Sequence, residues 1–170
     1  MKFMRSLGMS LVLILMVEIA PAEFKEAPPG QISQAIISAC LFEKTISTKD
    51  NITIYVMGSE EIASSLQMYL NQSLGNATLK KIDSGNKTPA DTPTILFLGN
   101  KDLVGQASSY CQENGVLSIT NIPDLVNKGI SLGVGIDESG SLGLLLNPEE
   151  TAREGKNWKP AIMKMAKIVK

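Results

Sequence analysis

The sequence predicts an α/β fold: a Rossmann-like, parallel-rich sheet flanked by helices, with a C-terminal β-hairpin and a terminal helix. Three observations point there. Short runs of branched and aromatic residues alternate along the chain with stretches whose apolar residues recur at helical spacing, the order expected of strand–helix units. Thr94-Ile95-Leu96-Phe97-Leu98 is almost continuously apolar, as a central parallel strand covered on both faces should be. Gly129–Asn147 holds two apolar runs, Ile130–Ile136 and Leu142–Leu146, joined by the turn-forming Asp137-Glu138-Ser139-Gly140, which reads as a hairpin.

Taken in order, the first 22 residues carry the marks of a secretory signal peptide. Lys2 and Arg5 form a positive start, Ser10–Val17 is an apolar core too short to span a bilayer, and Ala20-Pro21-Ala22 supplies small residues for cleavage after Ala22. No cysteine follows the cut, which argues against a lipoprotein. An uncleaved anchor would need a longer apolar stretch than this one. Residues 23–30 form a polar, proline-containing lead expected to be loose, and residues 31–170 a single α/β domain.

Within that domain, Ile32, Ala35, Ile36, Ala39, Cys40 and Leu41 recur at helical spacing, and Phe42 and Ile46 extend the apolar side, predicting a helix over Gln31–Ser47. Ile52–Met57 is a strand closed by Gly58. Ser59 then caps a helix with Glu60 and Glu61 in its first turn and Ile62, Leu66, Tyr69 and Leu70 on one face. A second, more polar strand over Ala77–Ile82 leads into the loop Asp83–Thr92 and the apolar strand described above. Asn100 caps a helix that buries Leu103, Val104, Ala107 and Cys111 and ends at Gly115. Val116–Asn121 is a strand, and Pro123 opens a helix of one or two turns that stops at Gly129. After the hairpin, Asn147-Pro148-Glu149-Glu150 is a strong helix start, Gly155 ends that helix, and Pro160 begins the terminal one, with Ala161, Ile162, Met165, Ala166 and Val169 on one side.

Composition excludes more functions than it suggests. With 170 residues and a net charge of −1, nothing global attracts nucleic acid. Histidine is absent, which removes the commonest general base and metal ligand. No nucleophile motif, phosphate loop or dinucleotide fingerprint appears, so no cofactor or metal is called for. Acidic pairs such as Glu60/Glu61 and Glu149/Glu150 sit at helix starts, where a structural role suffices.

Two cysteines remain. Cys40 and Cys111 each fall on the apolar face of a predicted helix, where a free thiol behaves as a small hydrophobe. If the two helices pack side by side in an exported chain, the sulfurs come within bridging reach, making this the one candidate disulfide. The tail from Arg153 to Lys170 is basic, and a solvated face competes there with a contact to an acidic partner or lipid headgroups. Trp158, the only tryptophan, reads as either a packing anchor or an interaction hot spot.

Several phrases of this chain resemble the YfiR family of periplasmic regulators, also described as a domain of unknown function. They are Ile52–Gly58, Ile95–Gly99, Val116–Asn121, the run Gly129–Asn147, and Asn147, Ala152, Arg153 and Gly155 before the last apolar segment. The resemblance implies an exported, often dimeric protein that holds an inner-membrane diguanylate cyclase inactive by binding its periplasmic part, with an outer-membrane lipoprotein relieving the inhibition. It also implies redox-sensitive disulfides. The chain departs from the family pattern at Ile46–Asp50, where a Trp-Pro is usual, and at Asn157-Trp158-Lys159, where Ser-Ser-Lys is common. Cys40 and Cys111 do not match the family's cysteine pairs.

These readings converge on a non-enzymatic regulator of the periplasm that works by protein contact. Its expected interaction surface comprises Trp158, Lys159, Lys164 and Lys167. The alternative is a periplasmic small-ligand-binding module using the loops after Met57, Leu98 and Asn121, at the strand ends where open α/β sheets bind ligands.

Overall fold

The computed structural model describes residues 24–169; the expected signal peptide therefore lies outside the described residues. One eight-stranded mixed sheet organises them, in the order β2-β3-β1-β4-β5-β6-β7-β8. Its strands are β1 (Asn51–Met57), β2 (Ser73–Leu74), β3 (Ala77–Gly85), β4 (Ile95–Leu98), β5 (Leu117–Thr120), β6 (Leu132–Ile136), β7 (Leu142–Leu146) and β8 (Lys167–Ile168). The run β3-β1-β4-β5-β6 is parallel. β2 and β7 join it antiparallel, β7 as the second arm of the expected hairpin. β8 returns parallel to β7.

The helices are α1 (Pro29–Cys40), α2 (Glu60–Leu66), α3 (Val104–Asn114), α4 (Pro148–Arg153) and α5 (Pro160–Met165). Strand alternation sends side chains to two separate cores. Ile52, Ile54 and Val56 of β1 join α1, α2 and Ile162 of α5 in the larger one. Met57, with Leu96 and Leu98 of β4, packs under α3 on the opposite face. Caps read from the sequence form as expected: Ser59 accepts from the Ile62 amide, Asn147 from those of Glu149 and Glu150, and Gly115 ends α3 at φ +62°. The turn opened by Pro123 is a 3-10 helix over Pro123–Lys128.

Three expectations need correction. The first helix ends at Cys40, seven residues early, because Phe42–Lys44 leave the helix to pair with Asn157–Lys159. Lys159 N donates to Phe42 O at 2.7 Å and Lys44 N to Asn157 O at 2.9 Å. Ile46 still reaches the core through a 3-10 turn, so the apolar spacing outlasts the helix that it suggests. Second, the lead is not loose where it is described. Lys25 exchanges both backbone hydrogen bonds with Ile136 at 2.8 Å, beyond the point where β5 stops, and Ala27 is buried. Phe24 lies against Gly143, whose missing side chain makes the room: a Cβ there would collide with the ring. Third, the terminal helix stops at Met165, and the chain continues into β8, where Val169 N donates to Leu146 O at 2.8 Å.

The cysteine pairing is corrected by the same topology. Cys40 on α1 belongs to one core and Cys111 on α3 to the other, so the sheet stands between them. Both are free and buried, and a bridge within the chain is ruled out by the layer order.

Candidate functional site

The carboxyl ends of β1 and β4 form the switch point of the sheet, since the chain leaves β1 for β3 on one side and β4 for β5 on the other. Here the two loops touch through glycines. A Cβ on Gly58, which sits at φ +83°, would lie 2.5 Å from the Asn100 Cβ, and one on Gly99 would collide with Ser59. The polar groups are committed as well. Ser59 Oγ accepts from Ile62 N at 3.3 Å and Asn100 Oδ1 from Asp102 N at 3.0 Å. Thr120 Oγ1 donates to Leu98 O at 2.8 Å and accepts from Ile122 N at 3.1 Å. Asn121 donates from Nδ2 to Glu26, and its buried Oδ1 alone lacks a partner among the described residues. A small ligand therefore meets little free polar surface at the loops after Met57, Leu98 and Asn121.

Two buried carboxylates, neither marked in the sequence reading, fix the C-terminal third of the chain. Glu43 accepts from Thr45 Oγ1 at 2.6 Å, Ile46 N at 2.7 Å and Asn157 N at 2.8 Å, so it ties the end of α1 to the segment after α4. Glu154, 1% exposed, accepts from Ser131 Oγ at 2.6 Å, Ser118 N at 3.1 Å and Ser118 Oγ. It holds α4 against the amino ends of β5 and β6. Burial pushes its pKa up to about 7 against the pull of these donors, and the nearby Glu150 charge adds to the rise. The only local signal of either role is an acid sitting among apolar or capping residues; the partners lie up to 114 residues away.

The four residues expected to form an interaction surface are not brought together. Trp158 is 6% exposed and donates from Nε1 to Thr151 Oγ1 at 3.1 Å, which makes it a packing anchor beneath the surface rather than part of it. Lys159 turns its Nζ onto Leu41 O at 2.7 Å. Lys164 is exposed on α5, and Lys167 on β8 holds its Nζ 5.9 Å from the centre of the Phe24 ring. Burial pushes the Cys40 thiol up to about 12 and raises Cys111 in the same direction, which disfavours a thiolate at either near neutral pH.

A groove of about 430 Å³ runs between α1 and the C-terminal hairpin, walled by Ala35, Ser38 and Phe42 on one side and by Leu142, Leu144 and Met165 on the other. Leu142 and Met165 are exposed. No carboxylate lines the groove. Such an apolar, one-sided opening suits a protein contact better than proton transfer or covalent chemistry. Among the described residues no cluster of acids or thiols could hold a metal, and no helix is long and apolar enough to cross a membrane.

Comparison with curated proteins returns no match. Among solved structures, a conserved domain protein from Vibrio cholerae O1 biovar El Tor shares the fold, with a TM-score of 0.52 at 14% identity. The superposition covers 86% of this chain but 61% of that one, so the likeness speaks for architecture alone. At the level of sequence pattern, residues 42–167 match the family described as YfiR/HmsC-like, from just after α1 to the start of β8. The match takes in both buried carboxylates, the hairpin and the hairpin wall of the groove, and on that evidence the chain belongs to the YfiR/HmsC-like family.

Proposed function

We propose that the chain is a periplasmic regulator that binds the periplasmic part of an inner-membrane signalling protein, a diguanylate cyclase, and restrains it by contact rather than by catalysis. Its leader is removed after Ala22, it acts as a homodimer, and an outer-membrane lipoprotein is the candidate for lifting the restraint. The family match over residues 42–167 is the observation that carries this reading. The geometry supports it from the other direction. Polar side chains at the strand ends are spent on caps, the buried acids hold segments together, and the accessible apolar surface gathers near the C-terminal edge.

The test is cellular and direct. Deleting the gene should raise cyclic di-GMP several-fold, and restoring the full chain should return it to the starting level. Co-purification from native membranes should recover the same membrane protein under reducing and oxidising conditions, because the two cysteines face different cores. Recovery of no membrane signalling protein under either condition, with cyclic di-GMP unchanged on deletion, overturns the reading.

A further inference from the structure

Along β7, odd and even residues address opposite edges of the strand. Asn147 N donates to Ser131 O and Ser141 O accepts from Asp137 N, so the odd positions are spent on the β6 side. Leu146 O accepts instead from Val169 N, on the far side. The backbone groups of Leu142 and Leu144 therefore point outward with those of Leu146. β8 is the last strand of the sheet and pairs only with Leu145 and Leu146. In that parallel frame Lys167 N faces Leu144 O, so among the described residues the groups that β8 leaves open are those of Leu142 and the Leu144 amide.

The two sides of that bare edge differ in chemistry. On the α1 side lies the apolar groove, where Leu142 is 42% and Met165 57% exposed and no wall residue is acidic. On the other side, the register sets Lys167 beside Leu145, facing Phe24. A strand laid along this edge would turn alternate side chains toward the groove and toward the Lys167 side. A two-residue β8 also leaves the edge too short to pair much of its length by itself.

We propose that this edge receives an extended peptide segment of the regulated protein as an added strand, with apolar residues at every second position filling the groove and acidic residues between them facing Lys167. The backbone hydrogen bonds supply affinity and the alternation supplies selectivity. This names the partner chemistry at the regulatory face and so rests on the reading above.

The test uses the mature chain and a capped ten-residue peptide of alternating Leu and Glu, with two counterparts. One counterpart is N-methylated at alternate residues, and the other carries Lys in place of Glu. Binding of the first peptide should protect the Leu142 and Leu144 amides from hydrogen exchange, and each counterpart should bind at least tenfold more weakly. Leu142→Pro should weaken binding as strongly while folding normally, since proline is tolerated at the first residue of an edge strand. If that variant does not fold, Leu142→Glu, which repels the acidic peptide, takes its place with the same expectation. Absence of binding, binding that ignores N-methylation, or self-association of the chain through these amides overturns the proposal. A photo-crosslinker separates it from the regulatory reading. Capture of the cyclase from position 164 but never from 142 sinks the added strand and leaves the regulator standing. Capture from neither, with cyclic di-GMP unmoved by deletion, sinks both.

Discussion

The carboxyl ends of β1 and β4 and the outer edge of β7 are both places where an α/β sheet can receive a partner, and this chain treats them in opposite ways. At the first, glycines bring two loops into contact and the side chains cap helices and turns. At the second, part of a backbone edge and a neighbouring apolar groove stay open among the described residues. The usual ligand crevice is narrowed by these contacts, and the usual liability, an exposed edge, is in part kept. Retaining an apolar edge carries a risk of aggregation, which fits the proposal that this protein works by contact.

The largest effect expected is on what holds that edge in place. Glu43→Ala removes the acceptor for the Ile46 and Asn157 amides and frees the segment on which α5 and β8 depend. A loss of about 4 kcal/mol is expected, because two amides each lose a charged acceptor worth roughly 1.5–3 kcal/mol. Urea denaturation measures it. A loss below about 1 kcal/mol would mean that the C-terminal edge is held by α5 packing alone, and that the contrast with the crevice owes nothing to Glu43.

Next comes Glu154, which closes the amino ends of β5 and β6 with a carboxylate instead of a glycine contact. Its folded pKa is raised to about 7, so its contribution to stability is fully present below pH 4.5 and is lost as the pH rises through 7. The decline is on the order of 3 kcal/mol at most. Melting temperatures between pH 4.5 and 8 should fall for the native chain and stay flatter for Glu154→Gln. A native profile no steeper than that of the variant would show that the Ser118 and Ser131 donors outweigh burial.

Much of this contrast lay beyond the reach of sequence, for definite reasons. Strands were legible because Ile52–Met57 and Ile95–Leu98 are branched, apolar and bounded by turn residues. Caps were legible because Ser59, Asn100 and Asn147 act within three residues of themselves. The end of α1 was not, since Phe42–Lys44 are drawn out of the helix by Asn157–Lys159, more than a hundred positions away. Nor was the fate of Trp158, whose partner Thr151 lies nearby but whose burial needs the same distant pairing. The helix patterns of Cys40 and Cys111 showed which side of each helix is apolar, and could not show that the two helices cover opposite faces of the sheet. Both arms of the hairpin were readable; that one arm would keep a bare outer edge depended on how soon α5 ended.

Gly99→Ala probes the crevice itself. The new Cβ collides with Ser59, so one of the two loops must shift, at a cost of about 2 kcal/mol. Chemical denaturation gives the value. If alanine is accepted without loss, the loops have slack, and the strand ends regain their claim as a ligand site.

The smallest effect on stability should accompany the clearest effect on function. Leu142 is exposed at the start of β7, and its side chain contributes to the groove wall rather than to either core. Leu142→Lys should therefore change stability by no more than about 0.5 kcal/mol, as surface substitutions usually do. In cells it should nevertheless raise cyclic di-GMP toward the level of the deletion, because a hydrated ammonium then occupies the approach to the groove. Met68→Lys is the matched control: Met68 is 65% exposed, follows α2, and should be silent in both assays. If the two variants behave alike in cells, the edge of β7 has no special standing, and the contact that restrains the partner must be sought on another face of the sheet.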